Sequence, residues 1–202
     1  MNRKISLMKS EIKTKVDTFL KEIGNDIDLL YELSTRDEKT GLYNFRFFKS
    51  VLQLESERYV RNLRNKKQKS FTIMIIDLDN FKKINTDYGH MTGDKILLEL
   101  ADYLKESLRK SDTVARFGGE EFIMLMPETG INKAKKLSDR LRRGTINNHT
   151  LKKFNITFSG GIAEFNGKEN CNSLIKRADK ALYKAKNKGK NRTEIARWTE
   201  KL

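Results

Sequence analysis

Arg116-Phe117-Gly118-Gly119-Glu120-Glu121-Phe122 joins two strand-like stretches, residues 113–117 and 122–126. A Gly-Gly pair between apolar runs reads as a hairpin turn, because glycine reaches positive φ without steric cost. Two acids at such a tip are unusual. Upstream, Ile73-Met74-Ile75-Ile76 runs into Asp77-Leu78-Asp79, a second buried-type strand ending in carboxylates. Strand ends and hairpin tips that gather carboxylates are places where proteins hold Mg²⁺ beside a phosphate. The hairpin also excludes a purely parallel sheet, although strands and helices otherwise alternate. The physical expectation is an α/β (α+β) domain with a mixed, mainly antiparallel sheet flanked by helices.

The 202 residues suit one domain of ordinary size plus a short appendage. A net charge of +15, from 42 Lys and Arg against 27 Asp and Glu, favours polyanionic partners without choosing among nucleotides, nucleic acid and an anionic membrane surface. A lysine-rich solubilising surface explains many of these charges equally well. Cys171 is the only cysteine, which excludes an internal disulfide and a thiol zinc cluster and points to a reduced, cytoplasmic setting. No stretch approaches the roughly 20 apolar residues of a membrane span. Polar residues following the basic start spoil a signal-peptide core.

Residues 5–33 read as one amphipathic helix. Apolar side chains fall at Ile5, Met8, Ile12, Val16, Phe19, Ile23, Ile27 and Leu30, in steps of 3, 4, 4, 3, 4, 4 and 3. That eleven-residue repeat gives a nearly straight stripe. A stripe without a partner of its own predicts pairing with a second copy or docking back on the domain. A polar turn over 35–44 follows. Helices are predicted over 45–65, with a basic end at Arg61, Arg64, Lys66 and Lys67, and over 92–109, 132–146 and 172–188. Strands are predicted over 71–76, at the hairpin, over 155–165 and over 192–196.

Five segments, in order, resemble the motifs of the GGDEF family, the diguanylate cyclases, which join two GTP molecules into cyclic di-GMP. Gly118-Gly119-Glu120-Glu121-Phe122 is similar to the family's signature loop in its GGEEF variant. Residues 37–44 (Asp-Glu-Lys-Thr-Gly-Leu-Tyr-Asn) resemble its opening motif, and 77–94 its metal and guanine segment. Ser159-Gly160-Gly161-Ile162-Ala163 and residues 178–186 resemble its last strand and helix. The resemblance runs over about 35–195. It implies a five-stranded, palm-like sheet and a division into a stalk helix (1–34), a cyclase domain (35–197) and a tail (198–202). Helices like the stalk often join a sensor to the cyclase in this family. With no sensor segment read ahead of it, the expectation is a piece of a longer protein or a chain regulated from outside.

Attack of a ribose 3′-hydroxyl on an α-phosphate, with diphosphate leaving, is assisted by alignment and charge neutralisation. Mg²⁺, for which Mn²⁺ substitutes, supplies such neutralisation through one or two carboxylates, phosphates and water. Asp77 at its strand end is the natural first ligand, and the resemblance adds the Leu78 carbonyl and Glu120. Glu120 and Glu121 are carried together as catalytic, Glu121 serving a second metal or the hydroxyl proton. Asp79 is the weaker candidate of the two aspartates and reads as a cap for the following turn. Guanine offers N1–H and amino donors, which a carboxylate accepts and an amide both accepts and reciprocates. Asp94 and Asn85 match the family's guanine-reading positions. The backbone N–H groups of Asn80, Phe81 and Lys82 form an anion cradle. Lys186 and Lys190 match its phosphate-gripping pair, with lysine where the second is often arginine.

Arg109-Lys110-Ser111-Asp112 is an Arg-x-x-Asp stretch six positions ahead of Gly118, and with Arg140 it resembles the family's inhibitory product-binding site. The resemblance thus implies GTP as substrate, cyclic di-GMP as product and inhibitor, and a homodimer. The opening motif departs from the family pattern at Lys39, where leucine is usual, and at Phe45, where arginine is usual. His90 reads as a packing residue. Residues 161–168 mimic a phosphate-binding loop with one residue too many. Two other readings compete: a non-catalytic cyclic di-GMP receptor, disfavoured by the retained acids, and a nucleic-acid module, which lacks stacking aromatics or a recognition helix.

Overall fold

The computed structural model describes residues 2–64 and 69–198, with side chains described for 13–63 and 69–198. Ile5, Met8 and Ile12 of the stripe, Arg64, Lys66 and Lys67 of the basic run, and residues 199–202 of the tail therefore lie outside the described side chains or residues. The chain divides into two compact units, Met1–Arg36 and Asp37–Leu202.

The first unit is the helix α1 (Asn2–Thr35). Its stripe residues Val16, Phe19, Ile23, Ile27 and Leu30 are all exposed, as are Leu20, Leu29 and Leu33. Gly24 does not interrupt it; a single glycine costs an exposed helix about 1 kcal/mol relative to alanine.

The second unit is built on one six-stranded sheet, ordered β1-β3-β4-β2-β5-β6. These are β1 (Tyr43–Asn44), β2 (Thr72–Leu78), β3 (Thr113–Arg116), β4 (Glu121–Met126), β5 (Phe158–Glu164) and β6 (Thr193–Ala196). The inner pairs β3–β4, β4–β2 and β2–β5 are antiparallel, and only the outer strands β1 and β6 run parallel to their neighbours. The sheet has six strands where five were expected. The extra one, β1, is two residues long, too short to show alternation in a sequence.

Strand β2 lies inside the sheet, and its five apolar residues account for the place: all seven residues are buried. Its side chains alternate between two cores. Ile73 and Ile75 join Phe48 and Leu52 of α2 (Phe45–Arg64) and Leu174, Ala178 and Leu182 of α7 (Cys171–Asn187). Met74, Ile76 and Leu78 join Phe81 of α3 (Phe81–Tyr88), Ile96, Leu97 and Leu100 of α4 (His90–Ser107), Leu141 of α5 (Ile131–Asn147) and Leu151 of α6 (His149–Lys153). Apolar residues at helical spacing on each helix produce this three-layer arrangement.

The short helices α3 and α6 were not anticipated. Helix α6 spans five residues, and Asn148 caps it by accepting from the Leu151 amide at 3.0 Å. Helix α3 is hidden because only Phe81 and Ile84 of its eight residues pack into the core, too few to show a period.

Helix α7 crosses β5 closely. A Cβ at Gly161 would stand 2.0 Å from the Ala178 carbonyl oxygen and 2.3 Å from the Leu182 nitrogen. Both neighbours are backbone and neither can yield without moving the helix. The position demands glycine for space rather than for φ. Gly161→Ala should destabilise the domain by about 3 kcal/mol or more, as overpacking against backbone does. Urea denaturation checks it; a midpoint equal to wild type would contradict the close crossing.

Candidate functional site

The antiparallel register sets Asp77 opposite Glu121 across β2 and β4 and opposite Ser159 across β2 and β5. Period-two alternation then puts Asp77 on the face of Ile73 and Ile75, under α7. The last turn of α7 reaches it: Lys186 Nζ donates to Asp77 Oδ2 at 2.6 Å. Asp77 is 6% exposed. Burial pushes its carboxyl up, Lys186 draws it down, and neighbouring Asp79 pushes it up again. Glu121 is raised too, first by burial and then by the charge of Asp77, with Asp179 and Glu120 adding to the push and Lys186 opposing it. A buried aspartate whose charge raises the glutamate opposite it makes this strand end a negative focus that Lys186 only partly offsets. A cavity of about 570 Å³ opens beside Glu121 and Lys186, lined also by Asp179 and Tyr183.

Asp79 has a different task from the cap expected of it. It is buried, and it accepts from Thr157 Oγ1 at 2.7 Å, Ser159 Oγ at 2.7 Å and the Asn191 amide at 3.0 Å. It ties β2 to β5 and to the loop after α7. The residue that opens α3 is Asn80, in the left-handed region at φ 60° and without a side-chain cap bond. Lys190 Nζ donates to Asn80 Oδ1. Lys186 and Lys190 therefore both converge on the β2–α3 turn. The first N–H groups of any helix lack intrahelical acceptors; those of Phe81 and Lys82 begin α3 here. Phe81 itself is buried, so only its backbone faces a ligand.

The hairpin tip is held rigidly. Arg116 Nε donates to the Gly118 carbonyl at 3.1 Å and Nη2 to the Gly119 carbonyl at 2.8 Å, while Nη1 donates to Asp37 Oδ1 at 3.1 Å. Asp37 in turn accepts from the Thr40 amide and hydroxyl, at 2.9 and 2.7 Å. Burial pushes Asp37 up, but the bonds from Thr40 and Arg116 outweigh it and hold the carboxyl below its ordinary range. The Phe117 and Gly118 amides donate to the Glu121 carbonyl, and the Leu78 amide to the Glu120 carbonyl at 3.3 Å. Glu120 is thereby fixed beside Leu78. A Cβ on Gly118 would come 2.6 Å from Glu121 Oε2, so the glycine leaves room for that carboxylate.

Asn85 lies on α3 and Asp94 on the adjoining α4. The Asn85 carboxamide lies against Gly93, where a Cβ would be only 2.0 Å from Oδ1. Asp94 is the next residue. It lies inside the first turns of α4, whose N-cap is Gly89, and so is not a capping group. Its carboxylate accepts from Lys39 Nζ at 2.6 Å, and both side chains are 44% exposed. His90, expected to pack, is exposed at the start of α4.

Arg109, Asp112 and Arg140 line a separate cavity of about 370 Å³ together with Lys133, Lys136 and Arg143. Asp112 Oδ2 accepts from the Arg109 amide at 3.1 Å, and burial pushes its carboxyl up against the pull of both arginines. Arg140 Nη2 donates to the Ser107 carbonyl at 2.9 Å. Three sites of distinct chemistry result: carboxylates with lysines at the sheet end, an amide and a carboxylate between α3 and α4, and a cationic cavity by α5. The Arg116 clasp and the Lys39–Asp94 pair were not read from the sequence. Lys39 did stand out there as a departure from the family pattern.

The carboxylate set suits a hard divalent cation. Among the described residues no three His, Cys, Asp or Glu side chains close into a site. Mg²⁺ commonly takes one or two carboxylates and completes its shell with phosphate and water, and Asp77 with the Glu120–Glu121 tip provides that number. No helix among the described residues is long and apolar enough to cross a membrane.

The family model described as diguanylate cyclase, GGDEF domain, matches residues 34–192. Diguanylate cyclase A of Treponema denticola is 37% identical over 172 residues, covering 83% of this chain and 46% of that protein. The chain spans less than half the length of the curated relatives it matches first, 46%, 24% and 44%. Among solved structures, the coiled coil and GGDEF domain of DgcB from Caulobacter crescentus, in complex with c-di-GMP, superposes with a TM-score of 0.81 at 25% identity, covering 91% of this chain and 96% of that one. The active GGEEF domain of a diguanylate cyclase from Vibrio cholerae gives a TM-score of 0.69 at 30% identity, covering 77% and 98%.

The raised Glu121 carboxyl has a consequence for stability. As pH rises the unfolded chain releases this proton first, so the native state then binds more protons and loses stability. The penalty is absent below the unfolded pKa and complete above the folded one. Glu121→Gln, permanently neutral, should therefore melt higher than wild type at about pH 7 in a chelator. The gap should close on acidification to about pH 4. Scanning calorimetry across that range checks the sign.

Proposed function

The chain belongs to the GGDEF family, the diguanylate cyclases, and on that premise we propose that it condenses two GTP molecules into cyclic di-GMP with release of two diphosphates. The observation that carries this reading is the convergence of Asp77, Glu120, Glu121, Lys186 and Lys190 on the β2–α3 turn, one short helix away from Asn85 and Asp94. Family cyclases use a divalent metal; Mg²⁺ is the natural choice here, with Mn²⁺ as a substitute. Asp77, the Leu78 carbonyl and Glu120 would hold it, and it would neutralise phosphate charge and favour departure of diphosphate.

The protein's own residues do the rest. Asp94 accepts from guanine N1–H and the amino group, and Asn85 completes the base contact. The amides of Asn80, Phe81 and Lys82 and the two lysines receive the triphosphate. Lys186 must leave Asp77 to do so. Glu121, its carboxyl raised by burial and by Asp77, would take the proton of the attacking 3′-hydroxyl. A 3′ oxygen–phosphorus bond forms, the α–β bridge breaks, and the same step in the opposite sense closes the ring.

One site holds one GTP, and the product has two-fold symmetry, so two chains must face each other. The exposed stripe of α1 is the proposed means of pairing. The cavity with Arg109, Asp112 and Arg140 is proposed as a product-binding site that slows turnover. Its cations suit a phosphodiester, and arginine planes suit stacked guanine. The domain limits proposed are a stalk to residue 34, a catalytic domain over 35–197 and a tail beyond.

Glu120→Gln should lower cyclic di-GMP formation on the order of 10²-fold or more, since it removes charge where the phosphate needs it. Chromatography of the product from GTP and Mg²⁺ measures this, and turnover surviving at the wild-type rate would contradict the metal role. Arg109→Ala should abolish the slowing caused by added cyclic di-GMP. Progress curves with and without added product decide it, and unchanged inhibition would place the inhibitory site elsewhere.

A further inference from the structure

The ion pair between Lys39 and Asp94 is not accounted for by stability. At 44% exposure on both sides and 2.6 Å, such a pair contributes little to folding. Its position is nevertheless well defined. Lys39 lies in a turn closed by the Asp37 amide to the Leu42 carbonyl at 2.8 Å and by the Gly41 amide to the Asp37 carbonyl at 2.8 Å. Gly41 adopts φ 65°, and Thr40 is bonded twice to the Asp37 carboxylate. The same Asp37 anchors Arg116 and through it the hairpin tip. The turn thus presents one lysine, on a fixed base, to the carboxylate assigned to guanine.

We propose that Lys39 is a base-reading residue that donates to guanine O6 while Asp94 takes N1–H and the amino group. The proposal rests on the assignment of Asp94 made above. On the guanine edge, O6 adjoins N1–H. An ammonium bonded to the carboxylate oxygen that receives N1–H therefore lies beside O6. Lysine carries three donors; one remains on Asp94, one reaches O6, and one stays with water. Adenine presents an amino donor and an unprotonated N1 at these places. It meets the ammonium with a donor and the carboxylate with a lone pair, so the pair rejects it at two atoms rather than one. Lys39 thus makes the selectivity of this chain depend on O6 as well as on the amino group.

Two analogues separate the two contacts. Inosine triphosphate lacks the amino group and keeps O6 and N1–H, so it reports on Asp94. 6-Thioguanosine triphosphate keeps both donors and replaces O6 by sulfur, a poor acceptor, so it reports on Lys39. Turnover (kcat and KM) is measured for GTP, ATP and both analogues on the full chain, as wild type, Lys39→Met, Lys39→Arg and Asp94→Asn. Binding of α,β-methylene GTP is measured alongside, in case turnover is slow. The expected result is that wild type prefers GTP to the thio analogue by about tenfold, the low end for a charged hydrogen bond. Lys39→Met should lose that preference through KM, keep the penalty against inosine triphosphate, and melt as wild type does. Lys39→Arg should retain the preference.

Equal weakening of GTP and its thio analogue in Lys39→Met would show an effect of charge alone and overturn the proposal. So would tighter or unchanged binding of both. Wild type that accepts inosine triphosphate as well as GTP, with Asp94→Asn unaffected, would instead remove the Asp94 assignment and the inference with it.

Discussion

A carboxylate buried at the end of the central strand is the constraint on which the rest of the structure depends. Asp77 could not be left there unpaired, since the cost of an uncompensated buried charge is several kcal/mol. The fold answers with Lys186, brought in on the last turn of α7. That helix can lie so close over β5 only because Gly161 leaves the strand bare beneath it; a Cβ there would stand 2.0 Å from the Ala178 carbonyl oxygen. The glycine of β5, the apolar face of α7 and its terminal lysine thus act together on one acid. Asp79, two residues on, performs the complementary task. Its three acceptor bonds fasten β5 and the loop after α7 to the same strand end.

Much of this was legible in the chain. A continuous apolar run identified β2, the resemblance at 159–163 supported β5, helical spacing identified α2, α4, α5 and α7, and the Gly-Gly pair identified the hairpin. Ligand chemistry picked out Asp77 and the two glutamates. The elements that escaped are those with too few residues to show a period: β1 with two, α6 with five and α3 with eight. The contacts that escaped join distant parts of the chain. Asp37 and Arg116 are 79 positions apart, and Lys39 and Asp94 are 55 apart. Nothing local in either stretch specifies its partner. Asp79 was misread for the same reason: its acceptors' partners, Thr157, Ser159 and Asn191, come from far along the sequence.

The hairpin tip shows how a loop with two glycines can still be a precise platform. Glycine alone would give mobility, since it lacks a side chain to pack. Here one arginine occupies both glycine carbonyls and is itself clamped by a carboxylate whose lowered pKa reflects those bonds. Gly118 serves for space rather than looseness, because Glu121 folds back over it, whereas a Cβ on Gly119 would meet nothing. Rigidity at this point matters to the proposed chemistry, in which a displacement of an ångström between phosphate and hydroxyl costs rate.

The cations of the site share one property. Lys186 rests on Asp77, Lys190 on Asn80 and Lys39 on Asp94. Each is held by a group that the proposed reaction also needs. Nucleotide binding is then an exchange of partners rather than the filling of an empty site. In the proposed reaction Lys186 would trade a carboxylate for phosphate as Asp77 turned to a cation, and Lys39 would keep its carboxylate while adding a base atom. Such exchange keeps every charge partnered in both states, which avoids leaving bare charges in a half-buried cleft. It also means that affinity reflects a difference between two paired arrangements, so that base identity, through its few donors and acceptors, can tip the balance.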